Sequence, residues 1–312
     1  MTTAEAHRSG FACLVGRPNA GKSTLTNALV GEKVAITSGR PQTTRHTIRG
    51  IVNRPDAQLV LVDTPGMHRP RTLLGERLND LVRDTLTGVD AIVFCVPADQ
   101  RVGPGDRYIA GQLADLTRGR RGTPVVVAVT KTDTVPRDRV AEQLLAVSAL
   151  GDWADVVPVS AVRGEQVDVL TDVLVGHLPE GPELYPGGEL TDEPESVMVA
   201  ELVREAALEG VRDELPHSLA VVVDEIVPRT RADGSPRPQG DELLDVRVDV
   251  FVERDSQKAI VIGRGGSRLR DVGTRARAEI EALLGSRVYL DLHVKVAKDW
   301  QRDPKQLRRL GF

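Results

Sequence analysis

The first candidate site is a glycine-rich motif that directly follows the short apolar run FACLV. The motif matches the pattern G-x-x-x-x-G-K-[ST] and consists of Gly16, Arg17, Pro18, Asn19, Ala20, Gly21, Lys22 and Ser23, followed by Thr24. Such a loop curls so that backbone N–H groups point inward at phosphate oxygens, and the helix that follows adds its positive end. We expect Lys22 to place its charge on the β- and γ-phosphates and Ser23 to reach Mg²⁺ with its hydroxyl. The sequence therefore predicts a nucleotide site.

A second element follows the apolar run QLVLV and consists of Asp63, Thr64, Pro65, Gly66 and Met67. A carboxylate at the carboxyl end of a neighbouring strand can hold Mg²⁺, usually through a water, and this predicts the role of Asp63. Gly66 is predicted to supply a backbone N–H to the γ-phosphate, because its missing side chain allows close approach and a conformational flip. Met67 carries a thioether, which cannot orient a nucleophilic water.

Two further strand ends predict which base is bound. The run PVVVAV is followed by Thr130, Lys131, Thr132 and Asp133. The run DVVPV is followed by Ser160 and Ala161. The Asp133 carboxylate can accept hydrogen bonds from N1–H and the 2-amino group of guanine. Adenine has neither donor and would leave a buried carboxylate unpaired, which costs several kcal/mol. The stem of Lys131 can lie along the base, and the backbone after Ser160 can bond the guanine oxygen.

The polar segment 41–46 (PQTTRH) lies where a GTPase needs a hydroxyl that closes on Mg²⁺ and the γ-phosphate and withdraws after hydrolysis. Thr44 is the first choice for this role and Thr43 the second. His46 and His68 are candidate contacts to water or phosphate, with ordinary solvated side chains as the alternative. The predicted metal ligands are Ser23, Thr44 and Asp63.

The formal net charge of the 312 residues is −4, which taken alone argues against a nucleic-acid partner. The segment 254–277 nevertheless holds seven basic and two acidic residues, a local charge of +5. It surrounds a GxxG sequence of the KH type, a loop that clamps the backbone of about four nucleotides, although a solvated basic helix face is the alternative. The predicted RNA-binding residues are Ile262, Gly263, Arg264, Gly265, Gly266, Arg268 and Arg270, with Ile260, Val261 and Leu269 as candidates for the groove floor.

The elements that must position these residues follow from the hydropathy pattern. Short apolar runs at 11–15, 58–63, 91–96, 124–130 and 155–160 alternate with helical patterns at 22–30, 74–86, 106–116, 139–150 and 166–175. Apolar strands that alternate with helices predict an α/β fold, here a doubly wound P-loop domain over residues 1–178. The run 47–52 is predicted to add one antiparallel strand to the sheet. Residues 196–312 read as a small α+β domain of KH type.

The segment between these domains, 179–195, has four prolines, three glycines and six acids but no Lys or Arg. This composition predicts an exposed linker. The two cysteines, Cys13 and Cys95, lie in apolar runs, so we expect small core residues rather than a disulfide or a zinc site. The start of the chain lacks the apolar region of a signal peptide, and we find no apolar run of about 18 residues that would span a membrane.

The base-reading residues resemble those of the translation-factor-like GTPases, and the sequences GxPNxGKS and TTR are similar to those of the Era and MnmE-like branch. The order PNAGKST, QTTRH, DTPGMH and IGRGG resembles the bacterial Era-type GTPases over nearly the whole chain. This resemblance implies GTP or GDP with Mg²⁺, and catalysis by Lys22, Thr44, Gly66 and Asn19, the last as part of a K⁺ site. It also implies a monomer that binds the 3′ end of small-subunit ribosomal RNA, assists 30S maturation and contacts the inner face of the membrane peripherally.

Two features depart from the family pattern. Thr130 stands where the family usually has Asn, a residue that contacts the base and also ties the phosphate loop to the base loop. Because Thr can make one of these bonds but not both, we expect retained guanine specificity and weaker affinity. The loop 229–241 is longer than usual, and the sequence assigns it no role.

Four functions are weighed. The first is a GTP-hydrolysing switch for ribosome assembly, in which the linker permits motion of the KH domain. The second is an RNA-binding chaperone that holds nucleotide with negligible turnover. Asp133 and Ser160 disfavour a P-loop kinase or ATPase. A tandem-GTPase relative with a terminal KH-like domain is excluded because the chain has one phosphate loop.

Overall fold

The structure is a computed structural model that describes residues 6–37, 44–67, 72–117, 122–210, 215–231, 237–238 and 242–312. The chain divides into two compact units, of which one holds nearly all residues up to Asp192 and the other holds Glu193–Phe312 together with Thr72–Leu74. Within the described ranges, no helix combines the length and the apolar character needed to cross a membrane.

The first unit is built on a six-stranded sheet. Its elements are β1 (Arg8–Gly16), α1 (Lys22–Val30), β2 (Ile48–Asn53), β3 (Ala57–Asp63), α2 (Leu73–Leu86), β4 (Ala91–Pro97), α3 (Pro104–Thr117), β5 (Val125–Thr130), α4 (Arg137–Ser148), β6 (Asp155–Pro158) and α5 (Val167–His177). The strand order is β2-β3-β1-β4-β5-β6, and only the pair β2–β3 is antiparallel. The predicted doubly wound α/β domain is therefore confirmed, including the extra antiparallel strand.

Both faces of this sheet are covered, which explains why its strands read as continuous apolar runs. Along β1, Ala12 and Leu14 pack into a core with α1 and α5, whereas Cys13 and Val15 pack into a second core on the opposite face. Cys13 and Cys95 are both free thiols and fully buried, as expected for small core residues. The parallel strands direct their carboxyl ends, and so the predicted nucleotide residues, to one edge of the sheet.

The segment 179–192, part of the predicted exposed linker, has almost no regular secondary structure, but its backbone is hydrogen-bonded to the sheet of the first unit. The Gln58 side chain, which is buried, accepts from the backbone N–H groups of Leu184 and Tyr185 at 2.7 and 2.9 Å. The N–H of Ile51 in edge strand β2 donates to Leu190 O at 2.8 Å. Most of the segment is exposed, and up to Asp192 its backbone is also held along the edge of the sheet.

The second unit is a three-helix layer on a three-stranded sheet with short terminal helices. Its elements are α6 (Glu195–Leu208), α7 (Leu215–Ser218), β7 (Ala220–Pro228), β8 (Leu243–Val252), α8 (Asp255–Ile262), α9 (Ser267–Leu284), β9 (Arg287–Val296) and α10 (Pro304–Arg309). The strand order is β7-β8-β9, antiparallel between β7 and β8 and parallel between β8 and β9. The apolar run before the GxxG sequence is part of helix α8.

Candidate functional site

The phosphate loop joins β1 to α1, as predicted. Asn19 and Gly21 adopt left-handed backbone conformations with φ of 62° and 86°, which turns the loop back over the end of the strand. In this structure the Lys22 ammonium donates to the carbonyl oxygens of Gly16 and Arg17 at 3.3 and 3.2 Å. Burial lowers the pKa of Lys22, and the charge of the nearby Asp63 carboxylate opposes this effect.

Ser23, Thr44 and Asp63, the three predicted metal ligands, meet at one point. The Ser23 hydroxyl lies 2.6 Å from Asp63 Oδ2 and 2.9 Å from Thr44 Oγ1, and the Thr44 hydroxyl lies 3.3 Å from the same carboxylate oxygen. Asp63 Oδ1 is buried and has no hydrogen-bond partner among the described residues. Burial raises the pKa of the Asp63 carboxyl, and Lys22 partly opposes this effect. Two hydroxyls and a buried carboxylate are the hard oxygen ligands that suit Mg²⁺.

The segment after Asp63 is fixed on one side by the core and on the other by the phosphate loop. The Thr64 hydroxyl donates to Leu14 O at 2.6 Å, and Met67 N donates to Gly16 O at 3.1 Å. The Met67 side chain is buried in the core, which agrees with the expectation that it orients no water. A Cβ on Gly66 would lie 2.6 Å from Pro18 N, so only glycine allows this approach.

The base-reading residues also come together. Ser160 Oγ donates to Asp133 Oδ1 at 2.7 Å and accepts from the backbone N–H of Arg163 at 3.2 Å, which fixes the orientation of the carboxylate. Lys131 has a left-handed backbone, with φ of 59°, and its ammonium lies 3.1 Å from Asp99 Oδ2. Thr132 begins a short 3-10 helix, and Ala161, next to Ser160, is half-buried.

Two candidates cannot be placed. Thr43 and His68 lie outside the described residues, so the choice between Thr43 and Thr44 rests on the observed position of Thr44 beside Asp63. His46 is half-buried. The sequence analysis did not predict that Arg45 is buried, with 1% of its surface exposed. Its place in the TTR run was the only sequence feature that singled it out.

The second unit carries a groove between α9 and the edge strand β9, next to the GxxG loop. The cavity measures ≈ 330 Å³; Leu269, Leu290 and Leu292 line its interior, and Gly266, Arg270 and Arg277 border it. Leu269 was predicted for the floor, but Leu290 and Leu292 were missed. Their signal was the alternation of apolar and polar residues in β9, an edge strand, which leaves one row of side chains facing the helix.

The comparisons with known proteins decide the family. Residues 11–131 match a family model described as a 50S ribosome-binding GTPase, and residues 214–301 match a KH-domain model. The GTPase Era of Streptomyces coelicolor is 67% identical over 311 residues, which cover 98% of this chain and 95% of that protein. The GTPase Era of Mycolicibacterium smegmatis is 67% identical over 306 residues, with 98% and 99% covered. The chain belongs to the Era family of GTPases.

Solved Era structures agree with this assignment. Era in complex with MgGDPNP and nucleotides 1506–1542 of 16S ribosomal RNA superposes with a TM-score of 0.90 at 36% identity, covering 98% of this chain and 99% of that one. A single-residue variant of Aquifex aeolicus Era bound to GDP and AlF4⁻ gives a TM-score of 0.89 at 36% identity, with 97% and 99% covered. The fold predicted from the sequence, a P-loop GTPase domain followed by a KH domain, is thereby confirmed.

Within this Era-family chain, the structure shows which bond Thr130 makes. Its hydroxyl is buried and donates to Ala20 O in the phosphate loop at 2.6 Å. Thr130 therefore makes the tie between the two loops, and its single hydroxyl hydrogen is not available to the base. The predicted contacts to guanine are therefore those of Asp133 and of the backbone after Ser160.

The structure also separates the arginines of the Era-family KH unit. Arg268, predicted to bind RNA, donates to Ala207 O and Glu209 O at 3.1 and 2.8 Å, and Arg275 pairs with the Glu209 carboxylate. Arg275 also donates to Ala206 O at 3.4 Å, so both side chains bond carbonyl groups at the C-terminal end of α6. One guanidinium nitrogen of the half-buried Arg268, Nη2, is thus bonded within the protein, and RNA binding by Arg268 stays a prediction. Arg264 and Arg270 are exposed.

The apolar candidates beside the GxxG loop divide in a similar way. Val261 is 1% exposed and belongs to the core, whereas Ile260 is 53% exposed. Ile262 is half-buried, next to Gly263, which adopts a left-handed φ of 74°. Gly265 and Gly266 also have left-handed φ values, 58° and 76°, so the loop turns sharply into α9.

Proposed function

We propose that this protein is a GTP-hydrolysing switch that binds the 3′ end of small-subunit ribosomal RNA and assists maturation of the 30S subunit. The observation that carries the RNA half is the arginine-bordered groove beside the GxxG loop, in a chain whose relative of known structure holds nucleotides 1506–1542 of 16S ribosomal RNA. The nucleotide half rests on the cluster of Ser23, Thr44 and Asp63 and on the Asp133–Ser160 pair.

In the nucleotide site, each side chain has one task. Ser23, Thr44 and Asp63 would hold Mg²⁺, which neutralises charge on the β- and γ-phosphates when bound. Lys22 exchanges its two backbone carbonyls for phosphate oxygens, and Gly66 offers its N–H to the γ-phosphate. Because Thr44 and Gly66 both depend on the γ-phosphate, their segments are held in the GTP state and released after hydrolysis.

Met67 cannot position the attacking water, because its side chain is buried and apolar. Another group must therefore do so. We include a K⁺ ion in the proposal, held partly by Asn19, whose backbone turn places it at the crest of the phosphate loop. A cation between the phosphates supplies the charge that an arginine finger supplies elsewhere. The same observation about Met67 favours the second candidate function, an RNA-binding chaperone with negligible turnover.

In the RNA groove, Gly263 and Gly266 allow a phosphate to approach the backbone, and Arg264 and Arg270 provide exposed charge beside it. The leucines of α9 and β9 provide an apolar surface for unpaired bases, which explains how a chain with 3% aromatic residues can bind RNA. We also propose that the protein is a monomer and contacts the inner face of the membrane peripherally; family resemblance supports both points.

The test is a crosslinking map of bound RNA on the full chain. The Gly263→Asp, Gly266→Asp double variant places two negative charges in the loop and is expected to lose the wild-type crosslinks at the ribosomal RNA 3′ end. A control with the same net charge is Ala141→Asp, Leu145→Asp on the exposed side of α4 in the GTPase unit, where Leu145 is 75% exposed. This control should retain the wild-type map. Unchanged crosslinks in the loop variant would overturn the KH assignment.

A further inference from the structure

The loop between β4 and α3, residues 98–103, leads into the first turn of α3. Neither the loop nor this turn belongs to a nucleotide motif, yet together they contact two of the motifs. The Asp106 side chain is 0% exposed, and both of its oxygens are used. Oδ1 accepts from Arg17 Nε at 2.7 Å, and Oδ2 accepts from the backbone N–H of Gly103 at 2.8 Å. Gln100 Oε1 accepts from a second guanidinium nitrogen of Arg17 at 3.1 Å. Arg17, the first variable residue of the phosphate loop, is therefore held by two side chains from outside that loop.

The backbone of α3 is shaped around this arginine. A Cβ on Gly105 would lie 2.6 Å from Arg17 Cδ, so the glycine seats the arginine stem directly on the first turn of the helix. The next residue in the loop, Pro18, is the one that Gly66 approaches. Arg17 and Pro18 thus lie between a fixed helix on one side and the γ-phosphate-sensing segment on the other.

The same β4–α3 loop also reaches the base-reading residues. Asp99 Oδ2 lies 3.1 Å from the Lys131 ammonium, and the N–H of Ala98 donates to Thr130 O at 2.8 Å. The Lys131 stem is the group expected to lie along the guanine ring, and Asp99 holds its charged end. One short loop thereby anchors the residues that bind the phosphates and the residues that bind the base.

We propose that Asp106, acting through Arg17, is a positioning residue for nucleotide binding, with Asp99 acting through Lys131 as a weaker second anchor. This role rests on the nucleotide binding proposed above. A fully buried carboxylate is weak evidence for stability, because desolvation offsets much of the attraction to its partner. Its two bonds instead fix the geometry of the loop that must present its N–H groups to phosphate. The Asp99–Lys131 pair is about one-third exposed on each side, so solvent screens it and its effect is smaller.

The test uses fluorescent mant-GDP release from the full-length protein. Asp106→Asn is nearly isosteric and can still accept from Gly103 N, but it removes the charge that holds Arg17. We expect GDP dissociation to accelerate about tenfold, in line with the loss of one charge-assisted hydrogen bond. Asp138→Asn, an exposed acid in the first turn of α4, is the matched control and should release GDP at the wild-type rate.

Two further measurements separate positioning from general stability. In a double-mutant cycle, Arg17→Gln combined with Asp106→Asn should release GDP no faster than the stronger single variant, because both remove one interaction. For Asp106→Asn alone, the hydrolysis rate at saturating GTP should stay at the wild-type level, with only KM raised, because Lys22, Ser23 and Asp63 are untouched. Arg17→Lys should give an intermediate release rate.

Tight mant-GDP binding by the wild-type protein, with release from Asp106→Asn at the control rate, would overturn the positioning role alone. Multiplicative effects of the two substitutions would overturn it as well, as would coupling that is seen in the thermal midpoint but not in GDP release. Absence of mant-GDP binding by the wild-type protein would overturn the nucleotide function and this role together.

Discussion

Thr130 stands where the family usually has an asparagine that contacts the base and also ties the phosphate loop to the base loop. Replacing Thr130 by Val tests which of these two roles the threonine keeps. Valine keeps the shape of the side chain but replaces the hydroxyl that donates to Ala20 O at 2.6 Å. Thr130 is 3% exposed and Ala20 1%, so no solvent can replace the lost bond without rearrangement. Loss of a buried hydrogen bond with one partner left unpaired costs about 1–3 kcal/mol.

We expect Thr130→Val to weaken the binding of GTP and of GDP by about tenfold, which corresponds to about 1.4 kcal/mol. The effect on the two nucleotides should be equal, because the bond acts on the phosphate loop and not on the γ-phosphate. The preference for GTP over ATP should stay at the wild-type value, because Asp133 and the backbone after Ser160 carry it.

The assay is calorimetric titration of the nucleotide-free protein with GDP and a non-hydrolysable GTP analogue, followed by competition with ATP. Thr130→Ser keeps the hydroxyl and serves as the matched control, with affinity within about threefold of the wild type. Thr130→Asn can make both bonds and should bind more tightly than the wild type. A Thr130→Val variant that loses guanine discrimination would refute the reasoning, because the hydroxyl would then contact the base.

Three other expectations follow from the contacts. Arg268→Met should lower the thermal midpoint by several degrees and leave RNA affinity unchanged, since the carbonyls at the end of α6 lose a donor. Arg270→Met should lower RNA affinity and leave the thermal midpoint unchanged. Equal losses of RNA affinity in the two variants would contradict this division. GTP hydrolysis should be faster in KCl than in NaCl, and Asn19→Gly, which keeps the left-handed turn, should abolish the difference; equal wild-type rates in the two salts would count against the K⁺ site. Burial raises the pKa of the Cys95 thiol to about 12, so neither Cys95 nor Cys13 should react with a disulfide reagent at about pH 8 until the protein is unfolded, and labelling at the rate of a free thiol would show that the strands open.

The nucleotide site could be predicted in detail because each of its parts is local in sequence. A strand end followed by glycines and Lys22, or by Asp63, specifies both the chemistry and the place where it occurs. Parallel strands then bring these ends to one edge, so the meeting of Ser23 with Asp63 follows from the topology.

The contacts that the sequence could not predict involve partners that are distant along the chain. The charge of Arg268 did not indicate that its side chain would donate to carbonyl groups at the C-terminal end of α6. The segment before Asp192 has the composition of a linker, yet the buried amide of Gln58 binds its backbone at Leu184 and Tyr185. Composition measures how a segment interacts with water and cannot show which backbone groups a distant side chain will bind.

The central claim is that RNA in the KH groove and GTP in the phosphate loop act on one switch. The most direct measurement is single-turnover GTP hydrolysis by the full chain, with and without an oligonucleotide of the ribosomal RNA 3′ end. The wild-type protein should hydrolyse GTP and do so faster with the oligonucleotide, whereas the Gly263→Asp, Gly266→Asp variant should keep the basal rate and lose the acceleration. Negligible hydrolysis under both conditions, with RNA still bound, would contradict the switch and favour the chaperone.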